Sequence, residues 1–272
     1  MKSTMKKWTK PALAGTVALI MTACGKGPAA ETADLKVTNG IKLSEDQYPA
    51  VVLIVKMVGE AQMMCTATFV NDHQIVTAGH CVEGLSEISP KLVVVQYKNG
   101  VANGVRALSF KRNPMYSMRD QNGVNPHDLA VVTFPAGTAP AVATIAAATP
   151  AVESPLTIVG YGNNRNFMSP DGQFEGSGAG EKRFGKNVLA RNTDGFLTFI
   201  GVPESASGVE EGDLVASGSG DSGGPMFVDG KLVGVTSGGG LAHLEDGTTV
   251  VVSNYVDLNS EESKAFLQRQ LN

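Results

Sequence analysis

From Val51 to Asn254 the chain is a series of short apolar runs separated by residues that favour turns. The runs are rich in Val, Ile, Leu, Phe and Thr, which favours strands over helices. Evenly spaced short strands are typical of sandwiches and barrels and not of alternating βαβ units. We therefore predict strands at Val51–Val55, Thr66–Val70, Leu92–Gln96, Leu129–Phe134, Leu156–Val159, Leu197–Gly201, Leu232–Thr236 and Thr248–Asn254.

Two local signals add a hairpin and a helix to this pattern. Asp229-Gly230 lies between two apolar runs, and this dipeptide favours a two-residue hairpin because both turn positions need positive φ. Only the C-terminal segment, 259–271, shows helical periodicity, and Asn259 with Glu262 three residues later can cap its start. Residues 135–155, rich in Ala, Pro and Thr, predict a linker between two β halves.

The N-terminus has the pattern of an export signal. Four lysines precede an apolar stretch of 13 residues, Pro11 to Ala23. As a helix this stretch would cover about 20 Å, too short for a bilayer core of about 30 Å. We therefore predict a signal peptide at 1–23 and no transmembrane segment.

The end of this stretch resembles the lipobox of bacterial lipoproteins. Its sequence is Met21-Thr22-Ala23-Cys24, and the resemblance implies that Cys24 is acylated and becomes the N-terminus of the exported protein. Met21 departs from the branched aliphatic residue of that motif, so cleavage without lipid is the alternative. Residues 24–36 are then a flexible spacer or propeptide, and a lipid on Cys24 is the one membrane attachment expected.

Composition and charge narrow the class of protein. The chain has 272 residues, 42% of them hydrophobic and 18% charged, which suits a packed globular protein. The net charge of −4 argues against nucleic acid as a partner, because phosphate binding needs a basic surface. The cysteines number 3, and if Cys24 carries lipid, Cys65 and Cys81 remain to form a disulfide in an oxidising compartment.

The most specific motif is Gly220-Asp221-Ser222-Gly223-Gly224-Pro225, which resembles the nucleophile loop of trypsin-like serine proteases. A serine hydroxyl needs a base to become a nucleophile, and the resulting oxyanion needs donors already in place. The resemblance implies that Ser222 is the nucleophile and that the amides of Gly220 and Ser222 form the oxyanion hole. A dinucleotide fingerprint also fits the glycines here, but Pro225 and a hairpin follow where that motif needs a helix.

Two further motifs supply the remaining catalytic groups. Thr77-Ala78-Gly79-His80-Cys81 resembles the histidine motif of the same family, with Gly79 where alanine is commoner. Asp128 precedes an apolar run, as the family's aspartate does. The order His80, Asp128, Ser222 is that of chymotrypsin-like enzymes. The other histidines, His73, His127 and His243, carry no motif or metal-ligand spacing, so we expect neither a metal nor a cofactor.

Smaller matches extend the resemblance over nearly the whole exported chain. They include Val37-Thr38-Asn39-Gly40, Val159-Gly160-Tyr161-Gly162 and Ser237-Gly238-Gly239. The fold implied is all-β, with two six-stranded antiparallel β-barrels, the active site between them and a C-terminal α-helix. The peptidase domain is then 37–272, with barrels at about 41–140 and 150–257.

The resemblance also implies a specificity pocket and an activation mechanism. The floor of the pocket falls on Ala216 and Ser217, with Ser237, Gly239 and Gly247 as further lining residues. Without a carboxylate at the floor, a bulky apolar residue before the cleaved bond is expected, unless the loop Glu245-Asp246 enters the pocket and favours Lys or Arg. Cleavage between Lys36 and Val37 by another protease would free an ammonium that pairs with Asp221.

Taken together, the sequence predicts an exported serine endopeptidase made as a zymogen, with proteins or peptides as substrates. The expected location is the outer membrane, as a lipoprotein, or the periplasm, with release of the catalytic domain after activation. One alternative is a catalytically inactive homologue that acts as a binding module, which the intact triad disfavours. Another is an esterase, but the nucleophile lacks the G-x-S-x-G context of the α/β-hydrolases.

Overall fold

The computed structural model describes residues 40–98, 101–117, 124–163, 165–168, 174–202 and 209–271. Within these ranges the chain forms two antiparallel sheets, one separate hairpin and a C-terminal helix. The predicted all-β class and its two-barrel architecture are thereby confirmed. Cys24, Lys36 and Val37 lie outside the described residues.

The first sheet takes most of the N-terminal half of the chain. Its strands lie in the order β6-β5-β2-β3-β4-β8-β7, and buried aliphatic side chains from β2 and β4 fill its core together with aromatic ones from β3 and β7. Burial of such residues is the main source of folding free energy. The strands are β2 (Val51–Val58), β3 (Ala61–Phe69), β4 (Gln74–Thr77), β5 (Leu92–Lys98), β6 (Val101–Arg106), β7 (Ser109–Arg112) and β8 (Ala130–Thr133).

The second sheet lies in the order β1-β12-β9-β15-β16-β17-β14-β13. Residues 134–154 carry the chain to it from the first sheet, and Ile145 forms a bridge with Leu232. The strands are β1 (Ile41–Lys42), β9 (Pro155–Gly160), β12 (Arg183–Val188), β13 (Arg191–Thr193), β14 (Phe196–Gly201), β15 (Pro225–Val228), β16 (Lys231–His243) and β17 (Thr249–Asp257). The separate hairpin pairs β10 (Arg165–Met168) with β11 (Phe174–Ser177).

The two sheets differ in detail from six strands each. They contain seven and eight strands, because short strands extend their edges. One of these edge strands, β1, pairs with β12 and places Ile41 opposite Phe184, so the start of the described chain lies on the second sheet. The predicted N-terminal barrel at 41–140 therefore begins, in the structure, after this segment.

The predicted hairpin and helix are both present. Asp229 and Gly230 have φ values of 49° and 71°, as a two-residue turn between β15 and β16 requires. The helix α1 covers Glu261–Gln270, but its N-cap is Ser260, whose hydroxyl accepts a hydrogen bond from the Ser263 amide at 3.2 Å. The backbone amide of the predicted cap, Asn259, instead donates a hydrogen bond to the carboxylate of Asp257. No helix within the described ranges is long and apolar enough to cross a membrane.

Candidate active site

The register between two neighbouring strands brings His80 close to Asp128. Thr77, the last residue of β4, pairs with Ala130, the first residue of β8. His80 follows β4 in a 3-10 turn, Gly79–Val82, and Asp128 lies two residues before β8. Because antiparallel neighbours place the end of one strand beside the start of the next, both side chains leave the sheet at the same edge.

Asp128 holds His80 at two points. Its Oδ2 lies 2.7 Å from the ring Nδ1 of His80, and its Oδ1 accepts the backbone amide of the same residue at 2.8 Å. A Cβ on Gly79 would lie 3.2 Å from Asp128 Oδ1 and 3.3 Å from Arg112, so this crowding favours glycine where the family more often has alanine. The two contacts fix both the position of the ring and the nitrogen that carries the proton.

The carboxylate of Asp128 has a third donor from the other sheet. The hydroxyl of Ser237 donates to Asp128 Oδ2 at 2.7 Å and accepts the amide of Asn125 at 3.3 Å. The side chain of Asp128 is only 3% exposed, whereas that of His80 is 30% exposed. The buried carboxylate is therefore satisfied by hydrogen bonds while the imidazole faces the cleft.

The loop that carries Ser222 is tied to the first sheet through Thr66 of β3. The amide of Thr66 donates to the carbonyl of Ser222 at 2.8 Å, and its hydroxyl donates to the carbonyl of Gly220 at 2.9 Å. Gly223 has φ of +78°, and a Cβ there would lie 2.0 Å from the hydroxyl of Thr77. Only glycine fits this close approach, which places Ser222 next to the strands that position His80.

The predicted disulfide between Cys65 and Cys81 is present, with a Cα–Cα distance of 6.2 Å. It joins β3 to the residue that follows His80, and Cys81 Sγ lies 3.6 Å from the carbonyl oxygen of Ser222. The bond therefore links the histidine turn to β3, next to the loop of Ser222. His80 and these two cysteines form a cluster of potential metal ligands, but neither sulfur is a thiolate in the disulfide.

Asp221, beside Ser222, is a buried carboxylate. It accepts hydrogen bonds from the amides of Gly162 and Gly218, each at 2.8 Å. Burial raises the pKa of its carboxyl to about 6, although the two amides and Arg183 oppose this shift. Next to it lies a small cavity of about 10 Å³, lined by residues that include Gly160, Arg183 and Phe184.

The predicted pocket residues do not all lie together. In the ladder between β16 and β17, Gly239 pairs with Ser253, whose hydroxyl accepts the amide of Ser217 at 3.0 Å. Ala216 next to it is completely buried. Gly247 instead lies in the exposed turn after β16, beyond His243, which is itself four residue pairs or about 14 Å along the ladder from Gly239.

The structure also places the other residues predicted for the pocket. The hydroxyl of Ser237 donates to Asp128. Glu245 and Asp246 lie in the exposed turn with Gly247, where Asp246 accepts the amide of Thr248. Sequence spacing alone does not determine the second wall of the pocket, because a long hairpin moves its tip away from its base.

Sequence reasoning missed two residues near the site. Ser253 is one of them, and no sequence signal marks a serine in a β-strand. Lys56 is the other: it is 6% exposed, and its ammonium donates to the carbonyl of His80 at 2.8 Å. A single charge inside the apolar run of β2 was a signal that could have marked it, since buried lysines are rare.

The remaining histidines lie outside this arrangement. His73 forms an ion pair with Asp72. The Nδ1 of His127 is buried, with no hydrogen-bond partner found for it in the described structure. His243 lies in β16, close to the hairpin tip.

An all-β fold of two antiparallel sheets, with a His–Asp contact beside a Gly-Asp-Ser-Gly-Gly loop, defines the class of chymotrypsin-like serine proteases. Comparison with known proteins agrees with this class. The family model named Trypsin matches residues 39–258, so the chain belongs to the trypsin family. It is a trypsin-like serine endopeptidase.

Individual relatives support the same assignment. The chain is 28% identical over 236 residues to a trypsin from Saccharopolyspora erythraea, covering 84% of this chain and 99% of that protein. Among solved structures it is similar to mouse neuropsin, described as a serine protease expressed in the limbic system of the brain. That match has a TM-score of 0.59 at 18% identity and covers 86% of this chain and all of the other, so it supports the fold.

Proposed function

We propose that the chain cleaves peptide bonds through an acyl-enzyme in which Ser222 is the nucleophile, His80 the general base and Asp128 the group that orients it. The observation that carries this proposal is the two-point contact of Asp128 with His80, next to the loop of Ser222. With its Nδ1 proton donated to Asp128, the imidazole presents Nε2 as the acceptor for the serine proton.

In the first half of the reaction, Ser222 Oγ forms a bond to the substrate carbonyl carbon as its proton moves to His80. The carbon–nitrogen bond then breaks, and His80 returns that proton to the leaving amine. In the second half, water attacks the acyl-enzyme with His80 again as the base, which releases the carboxylic acid and restores the Ser222 hydroxyl. Asp128 stabilises the charged imidazole throughout.

Two backbone amides are proposed to bind the oxyanion. The carbonyl of Ser219 accepts the amide of Asn163 at 2.7 Å, and the carbonyl of Asp221 accepts that of Gly224 at 2.7 Å. In a trans peptide the N–H points opposite to the C=O, so the amides of Gly220 and Ser222 point away from these partners. Within the described chain they donate to no backbone carbonyl, which leaves them available to a developing negative charge.

We assign the primary specificity pocket to Ala216, Ser217, Gly239 and Ser253. None of these carries a charge, and the Ser253 hydroxyl already accepts the Ser217 amide. A lysine or arginine side chain would lose its hydration here without gaining a carboxylate, which costs several kcal/mol. Apolar residues before the scissile bond are therefore the proposed preference, with bulky ones favoured because glycine at 239 adds no side chain to the wall.

Activation by cleavage between Lys36 and Val37 remains our proposal for control of the enzyme. Val37 is four residues before Ile41, which pairs with Phe184 at the rim of the cavity beside Asp221. Four residues reach at most about 14 Å. The new ammonium would supply the opposite charge that the buried Asp221 carboxylate needs, and would thereby hold Gly220 and Ser222 in position.

Export and attachment follow from the N-terminal sequence. We propose that residues 1–23 direct export and that Cys24 carries a lipid, which would place the protein at the outer membrane or in the periplasm. Because the activating cut lies after Cys24, activation by another protease would also release the catalytic domain. Mass spectrometry of the membrane fraction, with Cys24→Ser as control, tests the lipid directly.

The central assignment is tested on activated protein with casein and a fluorophosphonate probe that labels reactive serines. The wild type should hydrolyse casein and be labelled, whereas Ser222→Ala should do neither. His80→Ala should lose activity by several powers of ten because the triad acts as a unit. Equal casein turnover by Ser222→Ala would refute the assignment, and an unlabelled, folded, inactive wild type would favour the inactive binding module.

A further inference from the structure

A buried lysine lies directly behind the catalytic histidine turn. Lys56 belongs to β2, and its Nζ donates to the carbonyl of His80 at 2.8 Å and to that of Glu83 at 3.3 Å. The residue is only 6% exposed, which is unusual because an ammonium is costly to remove from water. Burial lowers the pKa of this ammonium, and the nearby Glu83 carboxylate opposes that shift.

The two carbonyls belong to the 3-10 turn that carries His80 and to the residue that caps it, Glu83. The His80 carbonyl accepts the Glu83 amide at 3.3 Å, which is a long hydrogen bond, and Lys56 is a second and closer donor to the same oxygen. A cation near the carbonyl end of a helical turn is favourable. Lys56 therefore strengthens this turn where its own hydrogen bond is long.

The backbone amide and the backbone carbonyl of His80 each form a hydrogen bond with a charged side chain. Asp128 accepts the amide of His80 at 2.8 Å, and Lys56 donates to its carbonyl at 2.8 Å. Hydrogen bonds to ionised groups are about twice as strong as those between neutral groups. Both polar backbone groups of His80 are thus anchored by charged side chains, one from β2 and one from the residues before β8, which limits movement of the turn that carries the ring.

The charged groups around Lys56 form a defined set. Glu83 on the same turn faces Arg112 of β7, with 3.7 Å between Oε1 and Nη1, and its Oε2 accepts the hydroxyl of Tyr116 at 3.3 Å. Burial, together with Asp128 and Glu83, raises the pKa of the Tyr116 phenol. The cross-strand neighbours of Lys56, on β3 and β5, are the uncharged Met63 and Leu92.

We propose that Lys56 is a positioning residue for the catalytic base: its ammonium fixes the His80 carbonyl and thereby the turn that carries the imidazole. This inference rests on the proposed role of His80 as general base. It assigns the function to a residue that touches neither substrate nor the reacting atoms.

The test compares Lys56→Met with the wild type in kcat and KM. The expected result is a fall in kcat of about tenfold with KM within about twofold, because a misplaced base affects the chemical step more than binding.

Lys182 supplies a matched control. It is another buried lysine whose Nζ donates to three carbonyls, those of Glu45, Gln47 and Tyr48 at 3.0, 3.2 and 3.4 Å. Lys182→Met should lower the melting temperature, as we expect Lys56→Met to do, without lowering kcat. An unchanged kcat in Lys56→Met, or an equal fall in kcat in Lys182→Met, would overturn the proposal.

Lys56→Gln keeps the test decisive if Lys56→Met does not fold. This variant retains a side-chain donor but removes the ammonium, so kcat should still fall with KM little changed; an unchanged kcat would count against the role of the ammonium. The Nδ1 proton of His80, followed by NMR in the Ser222→Ala background, should exchange faster with solvent in Lys56→Met if the ring is less firmly held. If His80→Ala is fully active, the proposed function itself fails, which separates the two conclusions.

Discussion

Ser237 Oγ and Asp128 Oδ2 lie 2.7 Å apart, and the same carboxylate oxygen accepts the ring proton of His80. This contact joins the two sheets at the catalytic site, because Ser237 belongs to β16 and Asp128 precedes β8. The position of the base therefore depends on how the two sheets pack together. The orientation of Asp128 is set by groups from both sheets, Ser237 from one and His80 from the other.

Removal of the Ser237 hydroxyl should lower kcat. In Ser237→Ala the buried Asp128 oxygen loses one donor, which we expect to reduce kcat about tenfold and leave KM little changed. Ser263→Ala is a suitable control, since that serine is equally buried and its hydroxyl has no hydrogen-bond partner in the described structure. Equal kcat values for Ser237→Ala and the wild type would contradict a role in orienting Asp128.

Loss of the disulfide should destabilise the protein by about 3 kcal/mol, the value expected for a loop of this size. The bond closes a sequence separation of 16 residues and joins β3 to the turn of His80. The measurement is urea unfolding of the Cys65→Ala/Cys81→Ala variant in the Ser222→Ala background, which prevents self-digestion. A free energy of unfolding within about 0.5 kcal/mol of the parent would show that packing alone holds the turn.

The cleavage preference should reflect an uncharged pocket. A peptide library should be cut after Phe, Tyr, Leu or Met at least about 100-fold faster than after Lys or Arg, which corresponds to about 3 kcal/mol. The matched variant is Ser253→Asp, which places a carboxylate beside Ser217 and should improve cleavage after basic residues relative to apolar ones. A wild type that prefers Arg or Lys would show that Ala216 and Ser253 do not form the pocket.

The three residues proposed as the triad could be read from sequence because each of them lies in a short contiguous motif. The same holds for Asp221, which is adjacent to Ser222. The second wall proposed for the pocket, at Ser253, could not be read in this way, because its place is set by the register of β16 with β17. No local signal in the chain determines where a long hairpin will turn.

Lys56 and β1 illustrate a second limit of sequence reasoning. The partner of Lys56 is a backbone carbonyl 24 residues away, and any residue type can supply a carbonyl. Likewise β1 has only two residues and pairs with β12, which comes much later in the chain. Such contacts arise from the packing of the sheets, so they appear only once the fold is known.

Asp221 should make the uncut protein sensitive to pH. Burial raises the pKa of its carboxyl from 3.8 to about 6, so the folded state favours the protonated form. Its contribution to stability is fully present below about pH 4 and is lost as the pH rises through 6. Over this range the free energy of unfolding should fall by about 3 kcal/mol. The check is the free energy of unfolding of the precursor at pH 4 and pH 7, compared with Asp221→Asn. If both proteins show the same pH dependence, Asp221 does not titrate in this range.

Cleavage before Val37 should remove this pH dependence of stability and activate the enzyme. An ammonium paired with Asp221 favours the ionised carboxylate, so the loss of stability between pH 4 and 6 should disappear in the mature protein. The same pair should bring a new loss of stability at alkaline pH, since a free α-amino group titrates near pH 8 and pairing raises that value.

We expect the uncut precursor to hydrolyse a peptide ester at least about 100-fold more slowly than the mature enzyme, because without the ion pair Gly220 and Ser222 are not held in the geometry that binds the oxyanion. N-terminal sequencing of active protein, with Lys36→Gln to block the cut, provides the measurement. Full activity in a protein that still begins upstream of Val37 would refute activation by cleavage and leave the assignment of His80, Asp128 and Ser222 unaffected.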